Sequence, residues 1–283
     1  MKVYKERISF RGLLAGRLLA LLLVCFTTLS VLEARLLEEA PSTDDATLIR
    51  GSQNHMAQVV IHNEQMQPVD RITDPLMTFT DPARANDRGT IWAFGTSGRP
   101  LAIMERYVTA DRASWIQVAS LTSTTLVRAT LPVNQRWTPQ SRQVKLKTLT
   151  DIQPPASQPG RRLLQMRQMS RRFTAHQFWD PDNSRFELRL MPSPLHRYED
   201  PDGGIADGAI FAFCHGTNPE ILLFLEAFRT KDAEAWRYAF ASLGSAEMHV
   251  DLDDEEVWSL PRASQVVGSP LEPYWLTLTS VKD

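Results

Sequence analysis

Two carboxylates and one adjacent pair are the groups in this chain best equipped to do chemistry. Glu105 and Glu226 lie in the apolar runs IMERYV and LLFLEAF. In an extended strand alternate side chains share a face, which sets Glu105 beside Leu101, Ile103 and Tyr107 and Glu226 beside Leu222, Phe224 and Phe228. Burial on such a face raises a carboxyl pKa, the condition for a general acid, and two such groups brought together would serve a hydrolase. The plainer role is a carboxylate near a strand end that accepts a hydrogen bond from backbone, arginine or a tryptophan N–H. Cys214-His215 offers a nucleophile beside a base, but strand neighbours face opposite ways, so the two could cooperate only where the strand breaks. Cys214 shares its face with Ile210 and Ala212, which favours a small packed side chain.

Other chemistry finds less support. DPDNSRFE (180–187), DPDGG (200–204) and DLDDEE (251–256) carry oxygen ligands, yet none has the twelve-residue calcium loop, and turn formation accounts for them. The six histidines show no HExxH and no paired spacing, and there is no CxxC, so no metal site and no cofactor are expected. Gly-rich phosphate loops and GxSxG are absent from the sequence. The arginines at 161, 162, 167, 171 and 172 read as the wet face of an amphipathic helix.

The elements that must position these residues are written twice. Pro75-Leu76, Asp81-Pro82, Gly89 and Ile91-Trp92-Ala93-Phe94 recur 119 residues later as Pro194-Leu195, Asp200-Pro201, Gly208 and Ile210-Phe211-Ala212-Phe213. Glu105, Thr109, Asp111, Trp115 and Trp137 match Glu226, Thr230, Asp232, Trp236 and Trp258 at a spacing of 121, which places two extra residues between Pro219 and Glu226. The apolar runs between turn residues read as strands at 90–94, 101–108, 115–121 and 125–131, then 186–190, 209–214, 220–229, 236–243 and 247–251. Residues 161–173 place Leu163, Met166, Met169 and Phe173 on one helical face. The tail 274–280, YWLTLTS, alternates like a strand and has no counterpart after Trp137. The repeated tryptophans read as core and strand-end packing.

The fold class is mainly β (α+β): two repeated antiparallel β-meanders packed as a sandwich or barrel about a pseudo-two-fold axis, with one covering helix. The domain boundaries read as follows: 1–34 a signal peptide or N-terminal anchor, 35–47 a spacer, 48–139 the first meander copy, 140–160 a proline-containing linker, 161–262 the helix and second copy, and 263–283 the C-terminal strand and tail. Five basic residues precede the apolar run 18–32, which is shorter than the roughly 20 residues of a membrane span and favours a cleaved peptide. Uncleaved, it would tether the protein to a membrane. Loss of residues 1–34 removes five basic and two acidic side chains from a chain of formal charge −2, leaving about −5 and arguing against a nucleic-acid partner. Cys25 leaves with that segment, so Cys214 has no disulfide partner within the mature chain.

Pro194-Leu195, Arg197-Tyr198-Glu199, Gly208 to Phe213, Gly216-Thr217, Pro219-Glu220, Leu222-Leu223 and Glu226 follow a basic helix and precede Trp236-Arg237-Tyr238-Ala239. This order resembles an uncharacterised family of exported bacterial proteins over residues 70–262. The resemblance implies a bacterial, extracytoplasmic protein, periplasmic, secreted or membrane-anchored, and no mechanism. The function expected is a binding or structural module of the cell envelope; the alternative is a hydrolase using Glu105 and Glu226 or Cys214 and His215.

Overall fold

The computed structural model describes residues 43–81, 86–109, 114–179, 183–229, 233–263 and 268–280. The segment expected to be a signal or anchor, with its apolar run 18–32, lies outside them. No helix among the described residues is long and apolar enough to cross a membrane.

The fold is mainly β, with antiparallel sheets and a helix opening each half. Helix α1 (Thr43–Met56) is followed by β1 (Val60–Asn63), β2 (Pro68–Val69), β3 (Met77–Asp81), β4 (Asn86–Phe94), β5 (Ala102–Thr109), β6 (Ser114–Leu121), β7 (Val127–Thr130) and β8 (Arg136–Trp137). After β9 (Lys147–Leu149), helix α2 (Pro159–Ser170) leads into β10 (Phe173–Trp179), β11 (Ser184–Leu190), β12 (His196–Asp200), β13 (Ile205–His215), β14 (Asn218–Arg229), β15 (Glu234–Ser242), β16 (Glu247–Leu252) and β17 (Glu255–Leu260). β18 (Tyr274–Ser280) closes the order. One covering helix was expected and two stand among the described residues; α1 escapes a pattern search because its sequence, TDDATLIRGSQNHM, carries too few apolar residues to mark a stripe. In α2, Met166 and Met169 enter the core as expected, but Phe173 begins β10, and Arg162 is buried rather than wet.

Strand registers repeat between the halves. Met77 pairs with Ile91 and Phe79 with Gly89, as His196 pairs with Ile210 and Tyr198 with Gly208. Both hairpins carry a bulge at the same place, before Asp81 and before Asp200. The two glycines are needed for one reason. A Cβ on Gly89 would fall 2.2 Å from the Phe79 ring, and one on Gly208 2.3 Å from the Tyr198 ring, because each aromatic lies flat across the facing strand.

The register corrects one equivalence read from the sequence. Gly89 pairs with Tyr107 and Gly208 with Glu226, whereas Glu105 pairs with Ile91, whose equivalent Ile210 pairs with Phe224. Glu226 therefore occupies the position of Tyr107, and Glu105 that of Phe224. Val108 faces Trp115 and Ala227 faces Trp236, so the two extra residues lie in the β14–β15 hairpin, which gains the pair Arg229 with Glu234. A hairpin end can lengthen by one pair without disturbing either ladder. An insertion inside β14 would break its pairing on both sides.

Each half also donates a strand to the other. β9, following the first half, pairs with β15 of the second, and β18, following the second, pairs with β6 of the first. Leu149 opposite Trp236 matches Thr279 opposite Trp115, so the tail strand does have a counterpart, inside the stretch expected to be a linker. The loop contacts are reciprocal as well. Gly98 N–H donates to Glu199 O at 3.0 Å, and Thr80 N–H to Thr217 Oγ1 at 3.4 Å, residues related by the same spacing of 119. Such exchanged contacts define a pseudo-two-fold relation.

Three cores result. Phe79, Ile91, Ile103 and Val118 meet Ile210, Ala212, Leu222 and Phe224 in a central layer between the two repeated sheets. On its outer side the first half packs Trp92, Phe94 and Met104 against Met56, Ile61 and Trp137. The second packs Phe211, Phe213 and Leu223 against Met166, Met169 and Phe173. Sheets covered on both faces explain why β13 and β14 read as continuous apolar runs rather than as alternating strands.

Candidate functional site

Glu226 is 0 % exposed and faces the central layer, as alternation predicts. It is surrounded by donors. Arg99 Nε reaches Oε1 at 2.8 Å, Tyr198 Oη donates to Oε1 at 2.8 Å, and Arg237 Nε reaches Oε2 at 2.6 Å. Burial pushes the Glu226 pKa up, but Arg99 and Arg237 outweigh it, so the group stays below the usual carboxylate range. Burial and the adjacent Glu226 charge push the Tyr198 hydroxyl well above its ordinary value. A carboxylate held charged by two guanidiniums is an acceptor and a clamp, the opposite of a general acid.

Glu105 is equally covered, at 1 % exposure. It faces the same central layer from the other sheet, and its backbone carbonyl accepts from Gln117 Nε2 at 3.1 Å. Cys214 packs in the central layer, where burial first, and Glu220 second, push its thiol up to about 12. His215 lies on the opposite face of β13, its ring 4.9 Å from that of Phe186 and its Nδ1 3.0 Å from Gln177 Nε2. The sheet thus separates the pair expected to be nucleophile and base.

Several charged groups carry no signal in the local sequence. Asp207 is bound by Arg162 Nε at 2.9 Å and by Arg197, which ties α2 to β12 and β13. Arg106 is buried with its guanidinium 4.4 Å above the Trp115 ring, where burial lowers its pKa to about 10. Beside it burial, then the Arg106 charge, lower His55 to about 4. His176 and His249 stack at 4.8 Å across β10 and β16, and Glu256 and Glu247 bracket His249. No group of three or more histidine, cysteine or acidic side chains among the described residues has the geometry of a metal site. The acidic run at 251–256 is a turn: Asp253 and Asp254 have φ of 50° and 68°, and Asp253 pairs with Arg172.

The candidate binding site lies where the two exchanged connections meet. Gln140 N–H donates to Leu271 O and Thr138 N–H to Pro270 O, both at 2.8 Å, so the connections run side by side. From Trp137 to Leu149 the first spans 12 residues; the equivalent stretch from Trp258 to Thr279 spans 21. The longer connection walls a cleft of about 480 Å³, with Leu260, Pro261 and Pro273 as apolar surface and Arg262, Ser245 and Tyr274 as polar groups. Gln143 fixes the base, donating to Ser120 Oγ and Leu121 O at 2.9 Å and accepting from Ser242 Oγ at 3.2 Å. At Gly244 a Cβ would fall 2.1 Å from the Glu220 carboxylate and 2.5 Å from Met248 Cε, so a side chain there would have to displace both. A cleft of this size with mixed lining suits a small ligand or the end of a chain. No protein-family model, curated protein or solved structure matches this chain.

Proposed function

We propose that the protein is an exported binding module of the cell envelope, and that its ligand occupies the cleft between the exchanged connections. The observation that carries this reading is the asymmetry of those connections. The halves keep matching registers through their sheets, yet the second connection is nine residues longer, and its described residues 260–263, 268–269 and 272–274 line a cleft. Sheets that keep their register while a connection differs in length are the arrangement of a binding scaffold. The export component rests on the basic start and apolar run 18–32. A hydrolase built on Glu105 and Glu226, or on Cys214 and His215, draws no support from side chains that are covered, charge-neutralised or separated by a sheet.

Two measurements test the reading. Fractionation of cells expressing the full chain should place the protein outside the cytoplasm; a soluble cytoplasmic product contradicts it. Thermal-shift screening against cell-wall oligosaccharides and short peptides should find a stabilising compound whose effect disappears in Ser245→Trp, a variant that fills the cleft. Stabilisation that survives this substitution would place the ligand elsewhere.

A further inference from the structure

Three of the buried polar atoms that lack a hydrogen-bond partner among the described residues lie on one face of the first half's sheet: Arg106 Nε in β5, Gln117 Oε1 in β6 and Thr279 Oγ1 in β18. The ladders bring them together. Arg106 pairs with Gln117, Gln117 with Thr277, and Thr279 with Trp115, so all three stand around Trp115 on the outer side of the sheet. The C-terminal half of α1 covers this patch. Gly51 passes over the Trp115 ring, Ser52 Oγ hydrogen-bonds Thr90 Oγ1, and His55 Nε2 lies 3.4 Å from Arg106 Nη1. Arg106 is 5 % exposed, with Trp115 against the face of its guanidinium and no carboxylate paired to it among the described residues. Stacking occupies the face of that group and leaves the Nε edge without an acceptor. Burial with no compensating charge is also what lowers its pKa.

The second half shows that the fold does not require this polarity. At the positions of Thr90, Arg106, Gln117 and Thr279 it has Ala209, Leu225, Tyr238 and Leu149, which pack into the core beneath α2. A buried cation and two orphaned polar groups in their place cost stability unless a further group completes them. We propose that the patch is a binding site for a small hydroxy acid held beneath α1. Arg106 carries one positive charge and an open donor edge, which fits a single carboxylate. Gln117 commits its Nε2 to the backbone carbonyls of Glu105 and Val118, so its Oε1 is an acceptor in need of a donor. A hydroxyl next to the carboxylate supplies that donor, and the Thr279 hydroxyl serves either group. The site is separate from the cleft, because Tyr274 of the cleft and Thr279 stand near opposite ends of β18.

Titration calorimetry of the full chain with glycolate and lactate at constant ionic strength tests this. Both should bind with a dissociation constant of roughly 1 mM or below, as ligands of this size allow. Acetate, which leaves Gln117 without a donor, should bind about tenfold or more weakly. Arg106→Leu, which installs the residue of the other half, should melt no lower than the wild type and lose glycolate binding by about tenfold or more. Arg106→Gln serves in its place if the leucine variant loses its native circular dichroism. Gln117→Leu should remove the preference for glycolate over acetate, and Ser245→Trp, which fills the cleft, should leave glycolate binding unchanged. No binding of either acid up to roughly 10 mM, or glycolate binding that persists in Arg106→Leu, overturns the proposal. Equal affinity of the wild type for acetate and glycolate overturns the assignment of a hydroxy acid.

Discussion

Arg99, in the loop after β4, and Glu226, in β14, are 127 positions apart and form a buried ion pair at 2.8 Å between the halves. The pseudo-two-fold assigns Asn218 to the position of Arg99 and Tyr107 to that of Glu226. Phe79 stands where Tyr198 does, and Ile116 where Arg237 does. On one side of the central layer the halves meet through an arginine-bound carboxylate. On the other, the Phe79 and Tyr107 rings meet edge-on at 6.1 Å. The duplicated fold has therefore diverged at its own interface, with polar groups on one side and aromatic ones on the other.

Removing the charge at Glu226 leaves Arg99 and Arg237 without their shared counter-ion in a covered site. Glu226→Gln should cost about 3–5 kcal/mol in urea unfolding, the range for breaking one partner of a buried pair. The folded pKa of Glu226 is depressed, so its contribution is fully present above the unfolded value near 4.5 and is lost as pH falls through the lower folded value. Wild-type stability should fall through that acid window, and the Gln variant should show a smaller drop. Identical acid profiles would contradict the pairing.

Gly89 and Gly208 make the same prediction twice. Gly208→Ala forces a methyl into the Tyr198 ring and Gly89→Ala forces one into Phe79, each costing about 1–3 kcal/mol as an overpacked site. Tyr198→Leu should recover part of the Gly208→Ala loss in thermal melts, because it removes the clashing ring. A recovery equal to zero would show that backbone conformation, and not the aromatic, excludes the side chain.

Much of this fold was legible because turn residues fix strand starts. The strand at 274–280 matches its reading residue for residue, and Gly89 and Gly208 fall at matching positions of their strands. The misplaced equivalence of Glu105 with Glu226 had a physical source: the extra residues preserve the alternation of faces, so both carboxylates do point into the central layer while standing two positions apart in register. β9 was hidden because a three-residue edge strand with polar alternate positions looks like a loop. An arginine was among the partners expected for Glu226, but which arginines clamp it could not be read. The clamp depends on Arg99 folding back from the other half, and nothing near either residue announces it.

The stacked histidines should titrate in opposite directions from the ordinary 6.5. Burial lowers His176; it also works against the charge on His249, but hydrogen bonds to Glu256 and Glu247 overcome it and raise that group. The His249 contribution to stability is thus present below 6.5 and lost as pH rises through its higher folded pKa. NMR titration should show His249 above His176, with the order collapsing in Glu247→Gln/Glu256→Gln. A lower value for His249 in the wild type would contradict the bracketing geometry.

Cys214 should resist alkylation in the folded protein, since its thiol is covered and pushed up to about 12. Iodoacetamide labelling should follow unfolding as denaturant is added. Rapid labelling under native conditions would instead mark an accessible, reactive thiol.

The exchange of strands between the halves is the claim on which the cleft depends, and a disulfide measures it directly. Leu278 pairs with Ile116 of the first half; an unexchanged chain would lay β18 on its own half, against Arg237, the equivalent of Ile116. In a Cys25→Ala background, Ile116→Cys/Leu278→Cys should form an intramolecular disulfide on mild oxidation, and Arg237→Cys/Leu278→Cys should not. The reverse pattern, with the 237–278 bridge forming and the 116–278 pair remaining as free thiols, would contradict the exchange.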